Sequence, residues 1–418
     1  MIEMKFKETE VGRVPADWSE ENIMQKCTIK ARIGWQGLTT NEYLPFGDYI
    51  LVTGTDFDNG YINWNTCNYV SEWRYNQDKN IQLCEGDVLI TKDGTIGKVA
   101  YLDKVPMPGT LNSGVFVVRL KDKNEIDQTY LSWYFKSIWF ISFIDQLTAG
   151  STINHLYQKD FIKFSLILPP LPEQRRIATA LSDIDSLISS LDELIEKKRN
   201  IKQGTMQQLL TGKTRLNGFS EPWVEKKLGD CASILRGGSP RPIEAYLTTK
   251  SDGINWIKIG DVKPNDKYIR HTEERIISAG VSHSRTVSKG DFILSNSMSF
   301  GRPYILDIEG CIHDGWLVIK DYQSTFDMDF LYYVLSSEHV FEQYIAMAAG
   351  SSVKNLNKEK VADVIIFAPI SLSEQHAIAS ILTSMDDEIA ALEQKREKYV
   401  SLKQGMMQEL LTGRIRLV

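Results

Sequence analysis

The chain of 418 residues lacks any run of 18 apolar residues, so it offers no transmembrane span. Its opening, MIEMKFKETEVG, lacks the apolar stretch of a signal peptide, and a cytoplasmic location is expected. Cysteine is sparse. Cys27, Cys67, Cys84, Cys231 and Cys311 are odd in number, scattered, and form no CxxC pair. They are expected to be reduced and mostly buried thiols. The six histidines stand in no ligand spacing with them, so no metal site and no cofactor are expected. A basic surplus is missing too: 48 Lys+Arg face 54 Asp+Glu, a net charge of −6. That removes the chain-wide electrostatic footprint of a nucleic-acid binder and leaves room only for local basic loops. A nucleotide-binding loop is absent as well. TGKT at 211–214 looks like part of one, but position 207, where the first glycine belongs, is Gln207.

What is present is a repeat. Residues 172–217 laid over 373–418 match at 21 of 46 positions without a gap, at an offset of 201. Glu173/Glu374, Gln174/Gln375, Ile177/Ile378, Leu181/Leu382 and Lys202/Lys403 are among the identities. Fainter echoes precede them. LTAGSTINHL (147–156) answers MAAGSSVKNL (347–356), EGDVLITKDGTIGKVAYL (85–102) answers KGDFILSNSMSFGRPYIL (289–306), and Trp18 answers Trp223. The chain is therefore one plan stated twice, a variable part followed by a constant part.

The constant parts read as long helices. Proline or serine stands just ahead of Glu173 and Glu374, a helix-start signal. Apolar residues then fall at Ile177, Leu181, Ile184, Ile188, Leu191 and Ile195. In the second copy they fall at Ile378, Leu382, Met385, Ile389 and Leu392, then at Tyr399 and Leu402 after a break at Arg396. Alternating steps of four and three are an a/d heptad seam, which asks for a partner helix. A helix from about 172 to 210 would be roughly 57 Å long, too long to hold itself unpaired. The other copy is the natural partner, in antiparallel pairing about a pseudo-twofold axis. Gly212 and Gly413 sit where such helices end in a left-handed cap, so TGKT is a helix exit.

The variable parts, 1–171 and 218–371, are each large enough for a core. Strand-like runs (YILVTG, GDVLITK, KVAYL, GVFVVRL; INWIKIG, GDFILSN, PYIL, GWLVIK) precede one aromatic helical run in each half. A closing strand then leads into the long helix. The fold expected is α+β: two α/β domains alternating with two long helices, each domain holding a mostly antiparallel, strongly bent sheet. The frames match and the loops differ. KARIGWQGLTT faces LRGGSPRP, and TKDGTIGK faces SNSMSFGR. These loops carry the residue types that bond phosphates and base edges. Two frames with different loops suggest two readers of two words.

With these features the chain resembles the specificity subunits of type I restriction-modification systems. The motif P-x-x-EQ-x-x-I, followed by the heptad helix and KQGxMQxLLTG, carries the resemblance, aided by Trp18 and Trp223. The resemblance spans the whole chain. It implies target-recognition domains at 1–171 and 218–371, and conserved helical regions at 172–217 and 372–418 that pair as an antiparallel coiled coil. It implies a non-catalytic, DNA-binding subunit whose two domains each read half of a gapped target while the helices set the gap. The partners implied are double-stranded DNA, two methyltransferase (modification) subunits and two restriction (translocase-nuclease) subunits. In keeping with that, no NPPY-like tetrapeptide or glycine-rich S-adenosylmethionine loop occurs, and the E-x-K triplets at Glu196 and Glu393 read as solvated coiled-coil charges. DNA contacts are expected from Arg32, Trp35, Lys92, Lys98, Ser151, Thr152 and Asn154 in the first half. In the second half they are expected from Arg236, Arg241, Ser297, Arg302, Ser352, Lys354 and Asn355.

Overall fold

A computed structural model describes residues 5–9, 12–149, 155–263, 266–296, 301–348 and 356–418, with only the backbone of Trp35 and Ala348. The chain divides into two compact units. The first comprises 1–192 and 395–418, the second 193–394.

In the first unit, strands Val99–Tyr101, Val88–Thr91, Val115–Leu120 and Cys27–Ala31 lie in that order, all antiparallel. A second sheet orders Gly109–Leu111, Ile50–Val52 and Asn68–Tyr69, with its first pair parallel. The first sheet is buried on both faces. Val88, Ile90, Phe116 and Val118 point into one core, and Leu89, Val115 and Val117 into another. Alternate side chains of a strand face opposite ways, so covering both faces turns the pattern into the continuous runs VLIT and VFVV. The second unit repeats this. Phe292, Leu294, Leu317 and Ile319 enter one core, and Ile293, Trp316 and Val318 the other. Each domain thus holds two main sheets rather than the single bent sheet expected.

The aromatic runs divide into two helices each: Gln128–Tyr134 and Ile138–Thr148, then Met328–Leu335 and Glu338–Ala348. Asp127 and Asp327 cap the first of each pair by accepting a backbone N–H. Their aromatic stripes are core: Tyr130, Trp133, Tyr134, Phe135 and Phe140 are all 1 % exposed or less. Strand Ser165–Leu168 pairs with Ser19–Asn22, and Ile365–Pro369 with Trp223–Lys227. Each of these pairs delivers the chain to a long helix, α1 (Leu171–Leu209) or α2 (Leu372–Leu410). At 39 residues each is about 58 Å long.

The helices pair antiparallel within each unit, as the cross-helix ion pairs record. In the first unit Arg396 meets Asp192, Lys403 meets Asp185, and beyond the helix Arg416 meets Glu173. In the second, Arg199 meets Glu393, Lys202 meets Asp386 and Arg215 meets Glu374. Ascending one partner descends the other. Lys198 pairs with Glu388, so the E-x-K triplets lie among helix ion pairs. Ile177, Leu181, Ile184, Ile188, Leu191, Ile195, Ile378, Leu382 and Ile389 are buried, while Met385 and Leu392 are half-buried. Ile177 and Leu181 belong to the first domain's core, as Ile378 and Leu382 belong to the second's. The first turns of each helix therefore serve both as seam and as domain core. Leu402, expected on the seam, is 50 % exposed. The heptad instead places Lys403 inward, where it reaches Asp185.

The repeated residues close each unit. Glu173 is 2 % exposed and receives Arg416 through Nε (2.7 Å) and Nη2 (2.8 Å), Trp18 Nε1 (3.3 Å) and the amide of Leu417 (3.3 Å). Glu374, fully buried, receives Arg215 through Nε (3.1 Å) and Nη2 (2.7 Å), and Trp223 Nε1 (3.1 Å). Beside them Gln174 accepts the amide of Asp127 and donates to Pro169 O, and Gln375 does the same with Asp327 and Pro369. Gly212 and Gly413 end the turns after the helices at φ +67° and +70°. A Cβ on Gly413 would fall onto Pro15, and one on Gly212 would lie 3.2 Å from Trp223. These glycines are therefore required by backbone conformation and by close approach.

A second joint is built alike in both units, from different residues. In the first, Lys136 Nζ lies 4.4 Å from the Trp133 ring and 5.3 Å from that of Tyr61, packed over Gly60 so closely that a Cβ there would collide with it. Burial pushes this ammonium down to about 8, although Asp185 opposes the shift. In the second, Lys267 Nζ lies 5.0 Å from the rings of both Tyr333 and Tyr332, and pairs with Asp329 at 2.7 Å. Gly60 O accepts the amide of Tyr101 as Lys267 O accepts that of Ile305, so Lys267 occupies the place of Gly60. Ser336 occupies the place of Lys136. The ammonium keeps its aromatic partner and changes its point of attachment.

Two outcomes follow. Arg416→Met strands a buried carboxylate and is expected to cost about 3–5 kcal/mol in urea unfolding, with Glu173→Gln added to it recovering a large part. Lys267→Gly is expected to cost about 1–2 kcal/mol, and Lys267→Gly with Ser336→Lys to recover most of that. Ser336→Lys alone should gain nothing. Failure of the pair to recover would show the two ammonium positions are not equivalent.

Candidate nucleic-acid interface

In the first unit strand Val88–Thr91 leads into a turn at 92–98, bent through Gly94 (φ +70°) and Gly97 (φ +79°). Thr91 Oγ1 donates to Thr95 O at 2.6 Å and accepts the Lys98 amide at 3.0 Å. The Lys92 amide donates to Gly114 O at 2.9 Å, and Lys92 O accepts the Leu156 amide at 2.8 Å. Asp93 pairs with His155. The turn is thereby held beside the chain that follows residue 154. His155 packs on Tyr157 with ring centroids 4.3 Å apart, and Lys159 Nζ lies 5.4 Å from the ring of the exposed Tyr157. Lys98 and Lys159 are exposed and Lys92 is half-buried. Among the described residues none of the three has a carboxylate partner.

The second unit has the same node. The Asn296 amide donates to Gly315 O at 3.1 Å, and Asn296 O accepts the Leu356 amide at 3.1 Å. Here the side chains converge on Asp314. Its Oδ1 accepts Ser239 Oγ at 2.9 Å, its Oδ2 accepts Arg241 Nη2 at 3.1 Å, and its carbonyl accepts Asn296 Nδ2 at 3.0 Å and Arg236 Nε at 3.4 Å. Burial works against ionisation of Asp314, but the Ser239 hydroxyl and the Arg241 guanidinium outweigh it and hold its carboxyl below the ordinary value. Arg285 donates to Arg236 O at 3.2 Å. Three exposed arginines thus stand at this end of the sheet.

The expected contact residues fare unequally. Lys92 and Lys98 come together in one unit, Arg236 and Arg241 in the other, and exposed Arg302 lies on the return from the Asn296 loop. Ser151, Thr152, Asn154, Ser297, Ser352, Lys354 and Asn355 lie outside the described residues, as does the side chain of Trp35. Arg32 does not fit a contact role. It is 2 % exposed, and its fork donates to Leu111 O (2.8 Å), Thr110 Oγ1 (3.1 Å) and Gln77 Oε1 (3.2 Å). It staples the end of one sheet to the edge strand of the other. Its place in the second unit is held by Gly237, because Ala31 lies opposite Phe116 as Arg236 lies opposite Leu317, so the staple is not repeated there. Reading the loops missed Tyr157, Lys159, Ser239, Arg285 and Asp314. Tyr157 and Lys159 follow the first AGS stretch, Asp314 precedes the GWLVIK strand and Ser239 lies within LRGGSPRP, while Arg285 has no such signal.

A cleft of about 1200 Å³ in the second unit is lined by Arg199, Lys202, Lys267, Arg270 and Arg302, with Asp386 and Glu393 also on its wall. The first four of these cations are already paired with carboxylates, which reduces what they offer to a phosphate.

Arg32→Met should lower the free energy of unfolding by about 1–3 kcal/mol, because buried acceptors lose their donor. Lys98→Met should change it by less than about 0.5 kcal/mol. Urea titrations of the two variants separate a staple from a surface cation, and equal losses would contradict this placement.

The family profile described as "Type I restriction modification DNA specificity domain" matches residues 32–202 and again 220–401. The putative type I restriction enzyme MjaX specificity subunit of Methanocaldococcus jannaschii is 27 % identical over 438 residues, covering 99 % of this chain and 97 % of that protein. The MjaVIII specificity subunit of the same organism is 26 % identical, covering 96 % and 97 %. Among solved structures, the S subunit of a type I restriction-modification system from M. genitalium superposes with a TM-score of 0.57 at 17 % identity, covering 94 % of this chain and 96 % of that one. A chain from a study of type I complex assembly and conformational transition gives 0.58 at 19 %, covering 96 % and 99 %. Two matched copies, together covering most of the sequence, decide the family: the chain belongs to the DNA specificity subunits of type I restriction-modification systems.

Proposed function

We propose that each recognition domain reads one half of a bipartite, gapped DNA target and that the two long helices fix the spacing between the halves. The chain divides for this purpose into readers at 1–171 and 218–371 and helical regions at 172–217 and 372–418. It carries no catalytic group of its own. It delivers two methyltransferase subunits, which methylate adenine from S-adenosylmethionine, to the target, and two restriction subunits complete an ATP-dependent nuclease. Docking uses the helices and the outer faces of the domains, and the complex works in the cytoplasm.

The observation that carries this reading is one frame closed twice by the same chemistry, Glu173–Arg416–Trp18 and Glu374–Arg215–Trp223, with unlike side chains at the same loop node. A scaffold with two identical tasks would have no need of different loops on one frame. Lys92, Lys98, Tyr157 and Lys159 make the phosphate-facing surface of the first reader, joined by Trp35, Ser151, Thr152 and Asn154. Arg236, Arg241, Arg285, Arg302, Ser297, Ser352, Lys354 and Asn355 serve the second. Arg32 is excluded by its burial.

Footprinting of the chain in complex with its modification subunits is the direct test. Two short protected blocks separated by a stretch of free sequence are expected. Lys92→Gln should weaken binding to all sequences alike and reduce the slope of log K against log salt by about 1. Protection with no sequence preference would defeat the reading.

A further inference from the structure

We infer that Arg241 is a base-reading arm of the second recognition domain, aimed by Asp314, and that it recognises a guanine in one half of the target. The inference rests on the bipartite reading proposed above and adds a chemical assignment to one position of it.

The argument begins from a charge in the wrong place. Asp314 stands at the loop node among Arg236, Arg241 and Arg285. On a face that only clamps phosphates, a carboxylate repels what the arginines attract. Its presence is explained if it orients a side chain. Asp314 is itself held by four hydrogen bonds from three residues, one to its carboxylate and three to its backbone. Ser239 donates to its carboxylate at 2.9 Å and accepts its amide at 3.2 Å, while Asn296 and Arg236 donate to its carbonyl. A carboxylate so held is a rigid anchor. It grips one Nη of Arg241 at 3.1 Å, and the Arg241 side chain is otherwise 80 % exposed. One nitrogen is tied down, and the remaining edge of the guanidinium faces outward.

A planar fork with a free edge matches the O6 and N7 acceptors that guanine shows in the major groove. A surface ion pair of this kind adds little stability by itself, so its value lies in pre-orientation. A free arginine would bring its own rotamer entropy as a cost of each encounter, and the anchor reduces that cost. Among the described residues the first unit has no arginine held by a carboxylate at this node, where Asp93 pairs with His155 instead. Ser113 stands where Asp314 stands, and Arg32 is turned inward. The device is therefore private to the second reader and should act on one half-site alone.

The test is selection of bound duplexes from a library of random double-stranded DNA by the chain with its modification subunits, followed by sequencing. It is run for wild type, Arg241→Gln, Arg241→Lys and Asp314→Asn. Arg241→Gln should erase a guanine preference of about 10- to 100-fold at one position and leave the other half of the motif intact. Arg241→Lys, which keeps the charge and loses the fork, should fail likewise. Asp314→Asn should weaken the preference at the same position while the salt slope stays unchanged. An unaltered motif with uniformly weaker binding and a shallower salt slope makes Arg241 a phosphate contact and overturns the inference, with the bipartite reading intact. A wild-type complex that selects no two-part motif overturns the bipartite reading itself, and this inference with it.

Discussion

A carboxylate buried away from water is tolerable only with its partners in place, and two such carboxylates hold this protein together. Glu173 and Glu374 open the two long helices at depths where the free ion would be prohibitive. Each draws an arginine from just beyond the far end of the opposite helix and an indole N–H from the start of its own domain. Three segments remote in sequence are tied at one point in each unit. The glutamine beside each carboxylate then holds the first turn of the domain's aromatic helix. Helix register, domain docking and domain closure are therefore not separable. An apolar substitute of equal volume could match the energy, but it would not select one arginine and so would not fix register.

The frame tolerates change where chemistry can be relocated. The ammonium beside Trp133 comes from Lys136, and that beside Tyr333 from Lys267, on a different segment. What persists is a cation against an aromatic face at the joint of domain and helix. Arg32 and Arg236 show the converse: arginines one place apart in the frame, put to two uses. In the first unit the guanidinium satisfies buried acceptors between sheets, and in the second it stands in water beside Asp314. The repeat thus keeps the support for two readers and leaves the reading surface free to diverge.

Much of the fold is legible in the sequence because it rests on periodicity and repetition. The heptad steps, the caps at Gly212 and Gly413 and the strand runs are local signals, and each marks an observed element. What escaped was non-local. Arg215 and Arg416 were visible as identities, but nothing near them in sequence announces a glutamate 159 or 243 residues away. Leu402 reads as seam in the sequence because it is apolar and adjoins the true seam position, which a lysine holds. Lys403 belongs inward only once Asp185 is known to face it. Arg32 follows the same rule: a loop arginine reads as a surface group, although two of its acceptors lie on another sheet and a third on Gln77. Two sheets per domain were hidden because a strand buried on both faces shows no alternation.

The acidic balance of the chain fits this picture once charges are placed. Half of the cations of the long helices are spent on carboxylates across the pair, at Lys198, Arg199, Lys202, Arg396 and Lys403. Such pairs contribute nothing at long range, so net charge is a poor guide to what DNA meets. What DNA would meet locally is Lys92, Lys98 and Lys159, without carboxylate partners among the described residues, at one loop node, and Arg236 and Arg241 on Asp314 with Arg285 beside them at the other. The Debye length at physiological salt is about 8 Å, so the acidic remainder of the surface is screened from these nodes. A few cations at each node also imply a shallow salt dependence for the chain alone. Sequence discrimination can then rest on short-range geometry at the loops, which is where the two halves of this chain differ.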